Sequence, residues 1–109
     1  NAYINAKMYY DIADYKAAIS AFTQFFHDFH APKYREEATF YIVQAKYSLA
    51  ENSIDAKKEE RIADALKEAD NFMLIYKVSE YTDEVKTIKE KALKLQDKIL
   101  KDKEINKNN

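Results

Sequence analysis

The chain matches itself at an offset of 47 residues, and this internal repeat constrains the fold more than any other feature of the sequence. Apolar residues recur in both copies at spacings of three and four, which is the period of an amphipathic helix. Because one pair of such helices cannot bury its apolar face alone, the repeat predicts stacked helical hairpins. Positions of like size or chemistry are Tyr15, Ala18, Ile19, Phe25, Phe26, Phe29, Tyr34 and Glu37, which correspond to Ile62, Ala65, Leu66, Phe72, Met73, Tyr76, Tyr81 and Glu84.

Periodicity and capping residues predict an all-α chain of about five antiparallel helices. Asp14 is predicted to cap the second helix and Ser79 the fifth, because their side-chain oxygens can accept hydrogen bonds from the free amides of a first turn. The third helix is apolar on more than one side, so we expect neighbours on two of its faces. Residues 1–100 form one predicted domain, and the polar residues 101–109 a frayed tail. The predicted helices span 2–12, 15 to about 29, 33–50, about 56–77 and 79–100.

The sequence contains no glycine and no cysteine. Phosphate-binding loops and nucleophile elbows need glycine where the backbone approaches a ligand or takes a positive φ, so enzymes built on them are excluded. The lack of cysteine removes disulfides, thiolate catalysis and Cys-ligated zinc. We expect turns built on Ala13–Asp14, Ala31–Pro32 and 77–79, with capping side chains in place of a left-handed glycine.

Charge and hydropathy exclude two further classes of partner. A formal net charge of −1 gives no basic footprint for a nucleic acid. No apolar run approaches the roughly 18 residues that a membrane span needs, and no signal segment opens the chain.

The chain begins as a helix interior without a cap, which indicates a fragment of a longer protein.

Neither of the two candidate chemical constellations is convincing. His27 and His30 share a helix face, but a metal site needs further convergent ligands, and the Glu-x-x-His spacing is absent. The adjacent carboxylates of Glu36–Glu37 and Glu59–Glu60 point about 100° apart on a helix and cannot act on one bond. The sequence therefore predicts no catalytic residue, no metal and no cofactor, and a protein that is not an enzyme.

The first hairpin resembles a tetratricopeptide repeat. Small, aromatic, turn and alanine residues follow the order of that repeat, although alanine stands at position 13 where glycine is common. The resemblance implies a right-handed solenoid of about two and a half repeats. The positions concerned are Ala6, Tyr9, Tyr10, Ala13, Asp14, Tyr15, Ala18 and Phe22.

A longer cadence resembles the outer-membrane protein assembly lipoproteins, the BamD-like D subunits of the β-barrel assembly machinery, of the Bacteroidetes type. His30 and Ala31 depart from the Tyr-Pro pair of that family. The segments that carry the resemblance are Asp14-Tyr15, Ala18-Ile19, Ala21-Phe22, Phe25-Phe26, Phe29, Lys33-Tyr34, Glu37-Ala38, Phe40-Tyr41-Ile42 and Ala45-Lys46-Tyr47, together with 49–54 and 58–61.

This resemblance implies a scaffold at the periplasmic face of the outer membrane, held by an N-terminal lipid anchor outside this chain. Its partners would be the periplasmic domains of the barrel-assembly subunit and the accessory lipoproteins. The alternative is a generic tetratricopeptide adaptor or co-chaperone module, for which a cytoplasmic location is open. Such a module could clamp the carboxylate of an extended peptide, with Lys7 and Lys46 as candidate ligands.

The tetratricopeptide register also implies which side chains line the concave, partner-binding surface. Tyrosine is prominent among them, and tyrosine is favoured at protein interfaces. A second expectation concerns the N-terminal end, where Tyr3, Ile4, Met8 and Ile12 would be exposed and would support self-association. The predicted concave residues are Tyr3, Lys7, Tyr10, Asp11, Phe40, Gln44, Tyr47, Ser48 and Lys91, extended by Lys94.

Overall fold

A computed structural model describes residues 2–28 and 32–108, and over these ranges the chain is helical with no strand. The all-α prediction and the number of helices are confirmed. The third helix begins one residue earlier than predicted, at Pro32, which suits the first position of a helix because its fixed φ is already helical there. The helices are α1 (Ala2–Asp11), α2 (Tyr15–Asp28), α3 (Pro32–Glu51), α4 (Asp55–Ile75) and α5 (Thr82–Asn108).

The turn between α1 and α2 contains the one described residue with positive φ, Ala13, at 62°. The Ala13 amide donates to the Tyr10 carbonyl over 3.0 Å, and the Asp14 amide donates to the Tyr9 carbonyl over 2.9 Å. This pair of hydrogen bonds is a Schellman motif, in which the left-handed position usually holds glycine. The expectation that capping side chains replace a left-handed residue is therefore wrong here, because an alanine itself adopts that conformation.

The two predicted caps differ in outcome. Asp14 caps α2 as expected, since its Oδ1 accepts from the Ala17 amide over 3.2 Å. Ser79 instead orders the turn before α5: its hydroxyl accepts from the Tyr81 amide over 3.0 Å, and α5 begins only at Thr82. The predicted turn at Ala31–Pro32 falls partly outside the described residues.

Side-chain contacts give the directions of the helices. Tyr3 and Tyr10 of α1 contact Tyr34 and Tyr41 of α3 in the same order along the chain, so α1 and α3 run parallel. Each helix packs on the next, and α3 also packs on α5. Since short turns connect successive helices, the odd-numbered helices run in one direction and the even-numbered helices in the other.

Helix α3 divides the core into two parts, as its two apolar sides predicted. One side packs with α1 and α2, and the other packs with α4 and α5. Aromatic rings dominate the first part, where Phe22 stacks on Tyr41 with ring centroids 5.5 Å apart. The first part contains Ala6, Ala18, Phe22, Phe25, Ala38 and Ile42, and the second contains Phe40, Val43, Ala50, Ile62, Ala69, Phe72, Val85, Ile88 and Ala92.

The last helix is longer than the hydrophobic pattern predicted. The helix continues through the polar segment to Asn108, although residues 101–107 are all exposed. Two ion pairs hold this segment: Lys101 pairs with Asp97 one turn earlier, and Lys103 pairs with Glu59 of α4. Surface charge pairs therefore support the end of α5 where apolar burial has stopped.

The left-handed alanine allows a direct test. Replacing Ala13 by glycine should raise the free energy of unfolding by about 1 kcal/mol, because glycine takes positive φ without a Cβ clash. Urea denaturation monitored by circular dichroism measures the change. The matched control is Ala63→Gly at an exposed position inside α4, which should lower stability by about 1 kcal/mol. Destabilisation by both substitutions would contradict the role assigned to Ala13.

Candidate protein-interaction face

Three parallel helices place one row of polar and aromatic side chains side by side, here called the odd-helix face. It consists of Tyr3, Lys7 and Tyr10 of α1, Glu37, Tyr41, Gln44 and Tyr47 of α3, Tyr81 just before α5, and Glu84 and Lys91 of α5.

Glu37 connects the three helices of this face. The Tyr3 hydroxyl of α1 donates to its Oε1, and the Tyr81 hydroxyl, next to the start of α5, donates to its Oε2 over 3.2 Å. All three side chains are half-buried. Burial and the neighbouring Glu37 carboxylate raise the pKa of the Tyr81 phenol well above its usual value, so Tyr81 remains a neutral donor.

A positive charge lies on the aromatic part of the same face. The Lys7 ammonium is 5.8 Å from the centre of the Tyr3 ring and 5.4 Å from that of Tyr41. Both distances lie within the range of cation–π attraction. The Tyr41 ring thus contributes to the face, and it also contacts Tyr10, Phe22 and Phe40.

Tyr10 and Tyr47 are two tyrosines of the predicted concave surface, and both are half-buried. Tyr10 contacts Tyr15 and Tyr41, and burial followed by these two phenols raises its pKa to about 12. The Tyr47 hydroxyl donates to Glu51 over 2.9 Å, and burial followed by this hydrogen bond raises its pKa to about 12. Both rings therefore pack against neighbouring side chains, and the Tyr47 hydroxyl bonds to the exposed Glu51.

A shallow open depression between α3 and α5 continues the face beyond Glu37. Gln44 of α3 lines one side of it, and Asp83, Glu84, Thr87 and Lys91 line the other. Gln44 and Lys91, both in the predicted set, thus line the same depression.

The remaining predicted residues lie around this face rather than within it. Asp11 and Lys94 are exposed, and Ser48 is half-buried with its carbonyl occupied by Asn52. These residues form the rim of the face and contribute no enclosed group.

Phe40 is a correction to the predicted set. It is only 5% exposed and packs in the core with Phe72 and Val85. The position of Phe40 on α3 points it between α4 and α5, so it cannot present its ring to a partner. Its contribution is indirect, since it stacks on Tyr81 with centroids 4.5 Å apart and an interplanar angle of 13°.

Sequence reasoning missed Glu37 and Tyr81 as parts of the face. The internal repeat contained a signal for Tyr81, because it corresponds to Tyr34 in the first copy. In the structure Tyr34 packs on Tyr3 of the preceding odd helix, and Tyr81 packs on Phe40 of its own preceding odd helix. Each of the two corresponding tyrosines therefore packs on an aromatic ring of the preceding odd helix.

The apolar N-terminal end is exposed largely as predicted. Ile4 and Met8 of α1 and Ile12, just after its end, are 60%, 52% and 67% exposed and follow one another at intervals of four. Tyr3 differs from this expectation, because it is half-buried against Phe25. Self-association through this ridge stays a prediction.

The described residues contain neither a metal-ligand cluster nor a helix that could span a membrane. No group of three or more His, Asp or Glu side chains in residues 2–28 and 32–108 is arranged to hold a metal ion. His27 is exposed at the end of α2, and His30 lies outside the described part of the chain. No described helix combines the length and apolar character that crossing a bilayer requires.

The shared carboxylate of Glu37 predicts an energetic coupling. Tyr81→Phe keeps the ring stacked on Phe40 but deletes a hydrogen bond to a charged acceptor, and it should lower the free energy of unfolding by about 1 kcal/mol. In a Glu37→Ala background the same change should cost less than half as much, because its acceptor is gone. Tyr76→Phe is the matched control, since its ring packs on Phe72 and its hydroxyl has no described hydrogen bond. Equal costs in both backgrounds, from urea denaturation, would refute the coupling.

The raised phenol pKa values predict a loss of stability in alkali. A proton held more tightly in the folded state stabilises the protein fully below pH 10, the unperturbed pKa, and this contribution is lost as pH rises through about 12. Tyr10→Phe and Tyr47→Phe should therefore each flatten the fall in unfolding free energy above about pH 10. Urea denaturation at a series of pH values measures the slope. A slope unchanged from the parent chain would contradict the prediction.

No protein-family model matches the chain, and no curated protein or solved structure matches it either. The resemblance to the outer-membrane assembly lipoproteins therefore rests only on the aromatic and alanine positions that carry it.

Proposed function

We propose that the chain is a non-enzymatic helical-repeat scaffold that binds protein partners through the odd-helix face. The observation that carries this proposal is the joint presentation of Lys7, Tyr10, Gln44 and Lys91 by three helices that run parallel. Helical-repeat proteins use such extended surfaces for binding, and interface hot spots are enriched in tyrosine.

The tetratricopeptide arrangement is part of the proposal. Its support is the repetition of contacts, with Tyr34 on Tyr3 and Tyr81 on Phe40, each between one odd helix and the next. Its right-handed curvature would make the odd-helix face concave. The Gly-free turn at Ala13 is compatible with the arrangement, because the alanine adopts the left-handed conformation that the repeat's usual glycine supplies.

A more specific form of the proposal follows from the aromatic cadence shared with the outer-membrane assembly lipoproteins. In this form the face binds periplasmic domains of the barrel-assembly subunit or accessory lipoproteins, at the periplasmic face of the outer membrane.

The carboxylate-clamp alternative has little support from the basic residues that it requires. Lys46 forms ion pairs with Asp64 and Glu68 of α4 over 3.3 and 3.2 Å. Lys7 lies over two aromatic rings. Neither ammonium is therefore placed to share one peptide carboxylate with the other.

Capture of the barrel subunit's periplasmic domains tests the proposal. Tyr10→Ala with Tyr47→Ala should weaken binding at least tenfold, because truncating interface tyrosines removes hot-spot contacts. Both tyrosines also pack in the core, so Gln44→Arg with Lys91→Glu provides a second variant that changes only the surface. Binding is measured by biolayer interferometry after circular dichroism has shown that each variant is folded.

Leu74→Ala is the matched control for this experiment, because Leu74 is 70% exposed on α4, away from the odd-helix face. It should bind as the parent chain does. Undiminished binding by both face variants would remove the odd-helix face as the docking surface. Failure of the parent chain to bind these domains would remove the outer-membrane form of the proposal.

A further inference from the structure

We infer that the odd-helix face recognises a cationic side chain, Arg or Lys, on an extended segment of a protein partner, through the Glu37 carboxylate and the rings of Tyr3 and Tyr41. This inference rests on the proposed function, because it states the chemistry of the partner that the scaffold would bind.

The first support is the charge of Glu37. Its described hydrogen-bond partners are the hydroxyls of Tyr3 and Tyr81, which are neutral donors. The two hydroxyls fix the carboxylate in place, and neither of them carries a positive charge. A carboxylate has about four lone-pair sites, so two bonds leave room for a further donor. A half-buried carboxylate held in this way is preorganised for a cation.

The second support is that the adjoining rings already attract an ammonium group. Lys7 lies over both Tyr3 and Tyr41, at 5.8 and 5.4 Å from the ring centres. Tyr3 thus contributes its hydroxyl to Glu37 and its ring to a cation. Aromatic rings beside a carboxylate are the combination that recognises ammonium and guanidinium groups.

The third support is the room along the face for an extended segment. Gln44 follows Glu37 by two turns of α3, which is roughly 10 Å along the helix. The open depression at Gln44 offers Glu84 and Thr87 as further hydrogen-bonding groups. A strand-like segment advances about 3.3 Å per residue, so three residues would reach from Glu37 to this depression.

Lys7 acquires a definite role in this arrangement. Its ammonium occupies ring faces that a partner's cation would use, and its charge repels that cation. Lys7 therefore competes with the partner from within the chain. Removing its charge should strengthen binding, which is the opposite of what loss of an ordinary contact would do.

The probe is the tetrapeptide acetyl-Ala-Arg-Ala-Ala-amide, compared with its citrulline counterpart, which has the same shape without the charge. Binding is followed by NMR through the aromatic resonances of the folded chain. We expect the arginine peptide to shift the rings of Tyr3 and Tyr41 and the citrulline peptide to leave them unchanged. Equal shifts with both peptides, or none, would overturn the inference.

Two substitutions with opposite expected effects sharpen the test. Glu37→Gln should weaken arginine-peptide binding about fivefold, because it removes the charge while its one carbonyl oxygen still accepts from a tyrosine hydroxyl. Lys7→Met should strengthen binding about threefold, because it frees the rings. Lys16→Met, at an exposed position on α2, is the matched control and should leave binding unchanged. Weaker binding by Lys7→Met would contradict the proposal that Lys7 competes with the partner's cation.

Light scattering on the same samples tests whether a second copy of the chain, instead of a separate partner, occupies the face. A concentration-dependent dimer that Glu37→Gln abolishes would assign the face to the Lys-rich α5 of a second copy and overturn the inference of a separate partner.

The peptide experiment is also independent of the capture experiment. Arginine-dependent shifts without capture of the barrel-subunit domains would leave the cation site standing and remove the outer-membrane form of the scaffold proposal. The reverse result would remove only the cation site.

Discussion

The structure depends on the burial of α3 from two sides. Each of the other helices has one apolar stripe, and a single stripe needs a partner helix to leave water. Phe22 stacks on Tyr41 from one side of α3, and Phe72 packs with Val43 on the other. Among the described residues, both parts of the core pack against this helix. Loss of α3 would therefore expose the apolar stripes of both neighbouring pairs at once.

Much of this architecture could be predicted from the order of residues alone. Helix number, the cap at Asp14 and the two apolar sides of α3 follow from periodicity and local hydrogen bonding, which depend on neighbours in the sequence. The end of α5 could not be predicted in this way. Lys103 reaches Glu59, 44 residues earlier, and a contact at that separation leaves no local pattern.

The candidate site was predicted less completely, for a related reason. Lys7 and Tyr10 follow from a helical register, and so do Gln44 and Lys91. Glu37 could not be placed on the face from the sequence, because nothing near it in the sequence indicates two tyrosine hydroxyls from other helices. Phe40 was predicted to lie on the surface, but it lies in the core. An error of one residue in the register turns a helical side chain by about 100°, which is enough to exchange a surface position for a core position. The register was therefore adequate for most of the face but not for the boundary between surface and core.

The shared carboxylate of Glu37 has a consequence for how the ends of the molecule communicate. No described ring contact, ion pair or side-chain hydrogen bond joins α1 to α5 directly, yet Tyr3 and Tyr81 place donors on the same acceptor group. If either end detaches, Glu37 loses one of its two donors, and its bond to the remaining tyrosine changes in strength. Fraying at the first helix is thus linked thermodynamically to fraying at the start of the last one. Through the Glu37 side chain of α3, the stability of α1 is therefore coupled to that of α5, although the two helices lie on opposite sides of α3.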